Sequence, residues 1–317
     1  MRTLLAIVSW VLLCAPDAAA QDSHLVIVSG LSGEAKYATA FHDWATTLID
    51  AAQNRWGVPE SNIAYLAENA ETHPDLVDAR STRDNVEQTL QTLAIRAGAS
   101  DQVFVVLIGH GTAGEGGSKF NLPGPDMTAE DFVALLDAFP TQTICFVNAA
   151  SSSGEFIPAL SGRNRAIITA TKTRYERNET LFAGFFVQAY ASDGADIDKD
   201  GRVSALEAFN YASREVARAY ETEGKLLTEH AVLDDEQVAM TVFLSGSAVA
   251  TSAEATPSDP QLAALYEEKR ALEEQVAQLR LRKDEMDPDV YEQRLEDLLV
   301  ELALKTREIR AFEEQQQ

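Results

Sequence analysis

Short apolar runs alternate with amphipathic segments through residues 24–192, and this alternation restricts the fold more than any other feature. The apolar runs are continuous, which is typical of strands buried on both faces of a parallel sheet. We predict strands at residues 24–29, 62–67, 102–108, 143–147, 165–171 and 237–244. Helices are predicted at residues 35–52, 82–97, 128–138, 155–160, 179–192 and 204–221. The pattern therefore predicts an α/β sandwich around a mainly parallel sheet.

Two loops that leave neighbouring predicted strands carry the residues with catalytic potential. Gly109-His110-Gly111 follows the strand at 102–108, and a stretch of small residues at 148–154 follows the strand at 143–147. Ligands of such sheets bind beyond the carboxyl ends of the strands. A histidine on one loop and serines on the next form the layout of a general base beside a nucleophile. The second loop contains no cysteine, and this absence decides how the site is interpreted.

The N-terminus and the net charge narrow the possible partners. Residues 1–20 contain Arg2, an apolar run at 4–13 and a small-residue cleavage site at 18–20, so we expect a signal peptide and a periplasmic or secreted protein. Fifty acidic residues against 26 basic ones give a net charge of −24, which argues against nucleic acid as a partner. We expect no membrane span. Without the signal peptide only Cys145 is left, so no intramolecular disulfide can form.

Residues 196–207 match the twelve-residue calcium loop of an EF-hand. Acidic side chains occupy the first, third, fifth and twelfth positions, and Gly201 stands at the sixth position, where the loop turns sharply. The predicted Ca²⁺ ligands are Asp196, Asp198, Asp200, Arg202 through its backbone carbonyl, Ser204 and Glu207. The predicted helix that follows directly completes the motif. The sequence therefore predicts bound Ca²⁺, in a structural or a regulatory role.

The C-terminal part has a different composition. Residues 247–258 are rich in Ser, Ala and Thr, without periodicity, and are interpreted as a flexible linker. Residues 259–317 carry two apolar heptad patterns that are separated at Asp287-Pro288. This arrangement predicts an antiparallel coiled-coil hairpin that associates with another copy or with a partner protein.

The domain at 21–246 resembles the caspase-like (clan CD) cysteine peptidases, and most closely their legumain-like branch. The resemblance depends on the α/β pattern, on His110-Gly111 after one strand and on the stretch 148–152 after the next. It implies a caspase-like three-layer sandwich, with His110 as the general base or an orienting imidazole and Gly111 as an oxyanion-hole donor. The nucleophile position then falls on Ala150, which has no group that could attack a substrate. Glu176 and Asn178 are implied as pocket residues.

Three interpretations of the site follow from this substitution. The domain has lost catalysis and works by binding a protein or peptide in its cleft, or by assembly. Alternatively, Ser151 or Ser152 serves as the nucleophile of a hydrolase with His110 as its base. In the third interpretation the serines form a helix cap and an anion-binding turn without any catalysis. A structural assembly protein that acts through the C-terminal hairpin is the remaining possibility.

Overall fold

The computed structural model describes residues 21–246, 260–281 and 288–316. The predicted signal peptide (1–20) and linker (247–258) lie outside the described residues, as does the predicted break between the two C-terminal helices. In the described part of the chain, none of the helices combines the length and apolar character that a membrane span requires.

In the described residues, ten strands form two sheets. In chain order they are β1 (Ser23–Ser29), β2 (Ile63–Ala67), β3 (Ala79–Arg80), β4 (Gln102–Ile108), β5 (Gly111–Gly114), β6 (Gly117–Phe120), β7 (Met127–Thr128), β8 (Thr143–Asn148), β9 (Arg165–Thr169) and β10 (Val232–Asp234). The large sheet has the order β10-β9-β8-β4-β1-β2-β3, and only the β9–β10 pair is antiparallel. The predicted α/β fold with a mainly parallel sheet is confirmed.

Helices cover both faces of the large sheet. In chain order, the α-helices of the described residues are α1 (Ala35–Asp50), α2 (Arg83–Arg96), α3 (Ala129–Asp137), α4 (Phe156–Leu160), α5 (Phe182–Ala191), α6 (Ala205–Thr222), α7 (Glu236–Thr241), α8 (Pro260–Leu281) and α9 (Pro288–Gln316). Alternate strand residues pack with α1, α5 and α6 on one face and with α2, α3 and α4 on the other. This alternation produces three layers, because successive side chains of a strand point to opposite faces.

Local sequence signals set several helix starts. Thr128 and Asp131 form a reciprocal capping box at the start of α3, and Thr82 accepts the backbone N–H of Asn85 at the start of α2. Such caps satisfy backbone donors that have no partner inside the helix.

The predicted final strand at residues 237–244 is wrong. Residues Glu236–Thr241 form helix α7, and the strand that extends the sheet is Val232–Asp234, which pairs antiparallel with β9. Asp235 explains the change, because it adopts a left-handed conformation and its side chain accepts the N–H of Val238 as a helix cap. The small antiparallel sheet β5-β6-β7 was not predicted, and its strands are short and rich in glycine.

The order of strands places the two candidate loops together. β1 lies between β4 and β2, so the chain leaves β1 to one side for β2 and returns to the other side for β4. The loops after β1 and β4 therefore diverge and leave an opening at the carboxyl ends of the strands. His110 follows β4 at this opening, and the serine loop follows β8, the next strand of the sheet.

The C-terminal helices α8 and α9 pack against each other. Leu262 and Leu265, near the start of α8, cluster with Ile309, near the end of α9, so the helices run antiparallel. An ion pair of 2.6 Å between Lys305 and Glu268 links the helices. The predicted coiled-coil hairpin and its association with another chain stay predictions.

Candidate functional site

His110 lies in a cavity of about 280 Å³ between α1, α5 and the ends of β4 and β8. Its ring makes edge contacts with two aromatic side chains of α1, at centroid distances of 4.5 Å to Tyr37 and 5.2 Å to Phe41. Trp44 and Ala149 also line the cavity. The imidazole is therefore held in an apolar recess that is open to a ligand.

Burial lowers the pKa of His110, and a hydrogen bond with the backbone of Ser32 partly opposes this effect. The imidazole is accordingly neutral at pH 7, the state in which it can accept a proton. Ser32 is itself held by Glu68, whose Oε2 atom accepts the Ser32 amide at 2.9 Å and its hydroxyl at 2.5 Å. Glu68 thus fixes the loop that orients the histidine.

Ala149 and Ala150 point to opposite sides of the sheet. Ala149 lines the His110 cavity, whereas the methyl group of Ala150 is fully buried in the apolar layer formed with α3 and α4. A side chain at position 150 therefore faces the core rather than the cavity. The assignment of the nucleophile position to Ala150 stays a prediction, and the geometry gives it no support.

Ser151 is the serine that faces the histidine loop. Its hydroxyl donates to the carbonyl of Gly111 at 3.0 Å and accepts the Gly111 amide at 3.3 Å. The Gly111 amide is therefore engaged by a serine rather than open to an oxyanion. A Cβ atom on Gly111 would lie 2.1 Å from the carbonyl oxygen of Ser151, so glycine is required there by the close approach of the two loops.

The next two serines are buried within the loop. Ser152 has a φ of 55°, and its hydroxyl is buried without a hydrogen-bond partner. The Ser153 amide donates to the hydroxyl of Thr171, just beyond β9, at 2.7 Å. The hydroxyl groups of Ser153 and Thr171 are hydrogen-bonded to each other at 3.0 Å. None of these three hydroxyl groups is hydrogen-bonded to the His110 imidazole, although all four residues belong to the described part of the chain. A base and an activated nucleophile are not assembled.

The two predicted pocket residues lie outside the cavity lining. The Glu176 carboxylate accepts the amide of His230 at 3.0 Å and lies 3.3 Å from its Nδ1 atom, while the Glu176 carbonyl accepts the Ser152 amide at 2.8 Å. Glu176 therefore stabilises the serine loop from behind. Asn178 is exposed. Instead, Glu179 reaches the cavity and accepts a hydrogen bond from the hydroxyl of Tyr37.

Sequence reasoning missed the pair Tyr37 and Glu179 because 142 positions separate them in the chain. It also missed Glu229, which is nearly buried and accepts the amides of Leu181 and Phe182 at the start of α5. Burial raises the pKa of Glu229 to about 7, against the opposing effect of these amide bonds. Motifs could not reveal either group, since neither belongs to a local pattern.

The acidic loop at residues 196–207 brings three of its predicted ligands together. One carboxylate oxygen each from Asp196, Asp198 and Glu207 lies within 4.8 Å of the others. Gly201, with a φ of 86°, donates its amide to Asp196 at 3.2 Å, and Glu207 accepts the amide of Ile197 at 2.9 Å. These bonds wrap the backbone around the cluster.

The remaining predicted ligands have other partners. Asp200 forms a 3.0 Å ion pair with the guanidinium group of Arg202, which stacks 4.0 Å above the ring of Phe243. Ser204 donates from its amide and its hydroxyl to Glu207, both at 2.9 Å, in a capping box at the start of α6. Three of the six predicted ligands thus form the carboxylate cluster, and the other three make the interactions just described.

Two observations concern the electrostatics of this cluster. The Oδ1 atom of Asp196 is buried without a hydrogen-bond partner. Desolvation, followed by the charges of Asp200 and Glu207, raises the pKa of Asp198 to about 7. Converging carboxylate oxygens are the ligands that a hard cation such as Ca²⁺ takes in proteins.

No family model matches the chain, and no curated protein matches it. Among solved structures, the match to the crystal structure of drICE covers 70% of this chain and 90% of the drICE chain, at 11% sequence identity and a TM-score of 0.43. The match to the crystal structure of caspase-1 from Spodoptera frugiperda covers 71% of this chain and 92% of the caspase-1 chain, at 10% sequence identity and a TM-score of 0.44. Similarity at this level does not establish a shared family or activity.

Proposed function

We propose that this protein is an exported, caspase- and legumain-like peptidase-family domain that has lost catalysis and binds a protein or peptide segment in the His110 cavity. The observation that carries the proposal is the composition of the cavity. It contains a neutral imidazole and aromatic side chains, and the residue that lines it at the end of β8 is Ala149, which has no nucleophilic group. The nearest serine hydroxyl groups are engaged by backbone or buried.

The cavity has the features of a binding site without chemistry. Apolar walls with a few polar groups are typical of ligand pockets. Tyr37, Phe41 and Trp44 supply the walls, and Glu179 with Lys36 supplies charged groups at the rim. A peptide side chain with an apolar body would bury surface against these rings and orient by the charged rim.

An active serine hydrolase is the second candidate, and one observation favours it. The Ser151 hydroxyl lies on the loop that contacts Gly111 directly beside His110. A small rotation would direct that hydroxyl away from the Gly111 backbone. Catalysis would then require the imidazole to come within hydrogen-bond distance of Ser151.

Covalent labelling separates these two functions. The mature protein is treated with fluorophosphonate and acyl probes that react with serine and cysteine, alongside His110→Ala. Our proposal expects no labelling of the wild-type loop. Labelling at Ser151 or Ser152 that disappears in His110→Ala would establish the hydrolase.

Matched cysteine variants test which position faces the cavity. Ala149→Cys and Ala150→Cys are compared with a thiol-reactive peptide probe in the presence and absence of His110. We expect His110-dependent labelling of Ala149→Cys, because position 149 lines the cavity, and none of Ala150→Cys, because position 150 points into the core. The reverse result would support the assignment of the nucleophile to Ala150.

We further propose that Asp196, Asp198 and Glu207 hold Ca²⁺ as a structural ion, with the loop backbone around them. The support is the motif, the converging oxygens and the unpartnered Asp196 Oδ1 atom. We propose a periplasmic or secreted location on the basis of residues 1–20, and self-association or partner binding by the α8–α9 hairpin.

A further inference from the structure

A second recess adjoins α1. Its volume is about 360 Å³, and its walls come from the ends of β1 and β2, from α1 and from the loop that contains His73. Phe41 lines both this recess and the His110 cavity. A recess of this size is large enough for a side chain or a small molecule.

The recess carries fixed negative charge. Asp43 and Glu68 belong to its lining. The lining residues that the structure describes include no lysine and no arginine. Ser32 holds one oxygen of Glu68 through two hydrogen bonds, of 2.9 and 2.5 Å. This carboxylate is therefore oriented in advance, and its second oxygen is available to a donor.

Two imidazole rings form one wall. His42 and His73 stack with 3.8 Å between ring centroids and an angle of 11° between the rings. The Nδ1 atom of His42 lies 3.3 Å from the hydroxyl of Tyr65, which fixes the ring in place. Burial, followed by the charge of His73, lowers the pKa of His42, so this ring adds no positive charge at neutral pH.

We propose that this recess binds an amine or guanidinium group, such as the basic side chain of a peptide. The carboxylates of Glu68 and Asp43 pair with the cation, and the stacked imidazoles and Phe41 cover its apolar stem. Anionic ligands are disfavoured because the described lining contains two carboxylates and no lysine or arginine. This inference goes beyond the proposed function, since the recess shares only Phe41 with the lining of the His110 cavity and requires no relation to a peptidase.

Imidazole resonances provide the measurement, because the chain has only five histidines. The mature protein is titrated with N-acetyl-arginine methylamide, with its neutral citrulline counterpart and with cadaverine. The His42 and His73 signals are assigned from His42→Gln and His73→Gln. We expect saturable shifts of these two signals with the capped arginine and none with the citrulline compound. A response to cadaverine in preference to capped arginine would assign the site to a free amine.

Charge variants identify the carboxylates. In Asp43→Asn with Glu68→Gln, we expect binding of the capped arginine to weaken at least about tenfold, since each hydrogen bond to a charged group is stronger than a neutral one. The side-chain amide oxygen that Glu68→Gln introduces can still accept from Ser32, which preserves the loop. Glu60→Gln with Glu71→Gln removes the same charge from exposed positions outside the recess and serves as the matched control.

Three results would overturn the proposal: equal shifts with the citrulline compound, equal weakening in the control pair, or no saturable shift with either basic probe at millimolar concentration. The His110 signal is followed in the same spectra. A shift confined to the His42 and His73 signals indicates binding in the recess, whereas a shift of the His110 signal alone indicates binding in the His110 cavity, so failure of one site is distinguishable from failure of the other.

Discussion

The acidic loop and the His110 cavity differ in how far apart their residues lie in the chain. Every group of the acidic loop lies within residues 196–207, and its geometry depends on local turns and one helix cap. The cavity collects side chains from α1, from the ends of β4 and β8 and from residues 179–183. A short motif can specify the first kind of site, whereas the second exists only when the sheet has formed. Each prediction below tests one side of this contrast.

The largest effect on stability is expected from Glu229. Its hydrogen bonds to the start of α5, like the cavity, form only when distant parts of the chain have come together. Burial raises its folded pKa to about 7, whereas an unfolded glutamate titrates near 4.3. The folded state therefore binds the proton more tightly, and stability is greatest below the unfolded pKa. We expect stability to fall by about 3 kcal/mol as the pH rises from 4 through 7.

Urea unfolding in the presence of EDTA across this pH range measures that fall. Glu229→Gln removes the titration and keeps an oxygen for the amides of Leu181 and Phe182, so we expect its pH dependence to be flatter. Glu223→Gln, at an exposed position, is the control. An unchanged slope in Glu229→Gln would contradict the assignment.

Addition and removal of Ca²⁺ test the acidic loop, whose groups are all close together in the chain. If the loop binds Ca²⁺, a concentration about 100 times the Kd stabilises the fold by about 2.7 kcal/mol. We expect chelation with EGTA to lower the melting temperature, and Glu207→Gln to remove the difference between the two conditions. An identical melting temperature with and without Ca²⁺ in the wild type would reject the site.

Substitution of Gly111 tests the close approach of the histidine and serine loops. In Gly111→Ala, the added methyl group would meet the Ser151 carbonyl oxygen at 2.1 Å, so one loop must move. We expect a loss of about 2 kcal/mol in urea unfolding, within the usual range for overpacking. Gly116→Ala, where an added Cβ meets only a lysine side chain at 3.8 Å, is the control and should be nearly neutral. Equal stability of the two variants would disprove the tight contact.

The hairpin is expected to affect the α/β domain least. Deletion after Ser258 should change the unfolding free energy of the remaining domain by less than about 0.5 kcal/mol, as for a change away from the core. If α8 and α9 mediate association, the mass per particle measured by light scattering should fall on deletion by more than the mass of the removed segment. A monomeric mass before and after would contradict the assembly role.

Much of the fold follows from the sequence because its signals are local. Continuous apolar runs identified β1, β4 and β8, and the helices predicted from residues 82 and 128 begin at the caps Thr82 and Thr128. The prediction from sequence was wrong where a local apolar pattern is compatible with both a strand and a helix. Residues 237–244 are apolar enough for a strand, but the conformation and side chain of Asp235 start a helix instead.

The sequence by itself determined the α/β alternation, the acidic loop and the two loops at the strand ends. Only the tertiary structure decided that Ala149 faces the cavity while Ala150 faces the core, because the side of each residue depends on the register of β8 within the sheet. It also decided the pairing of Tyr37 with Glu179 and the stacking of His42 on His73. These contacts join segments that are distant in the chain, and no periodicity or motif encodes them.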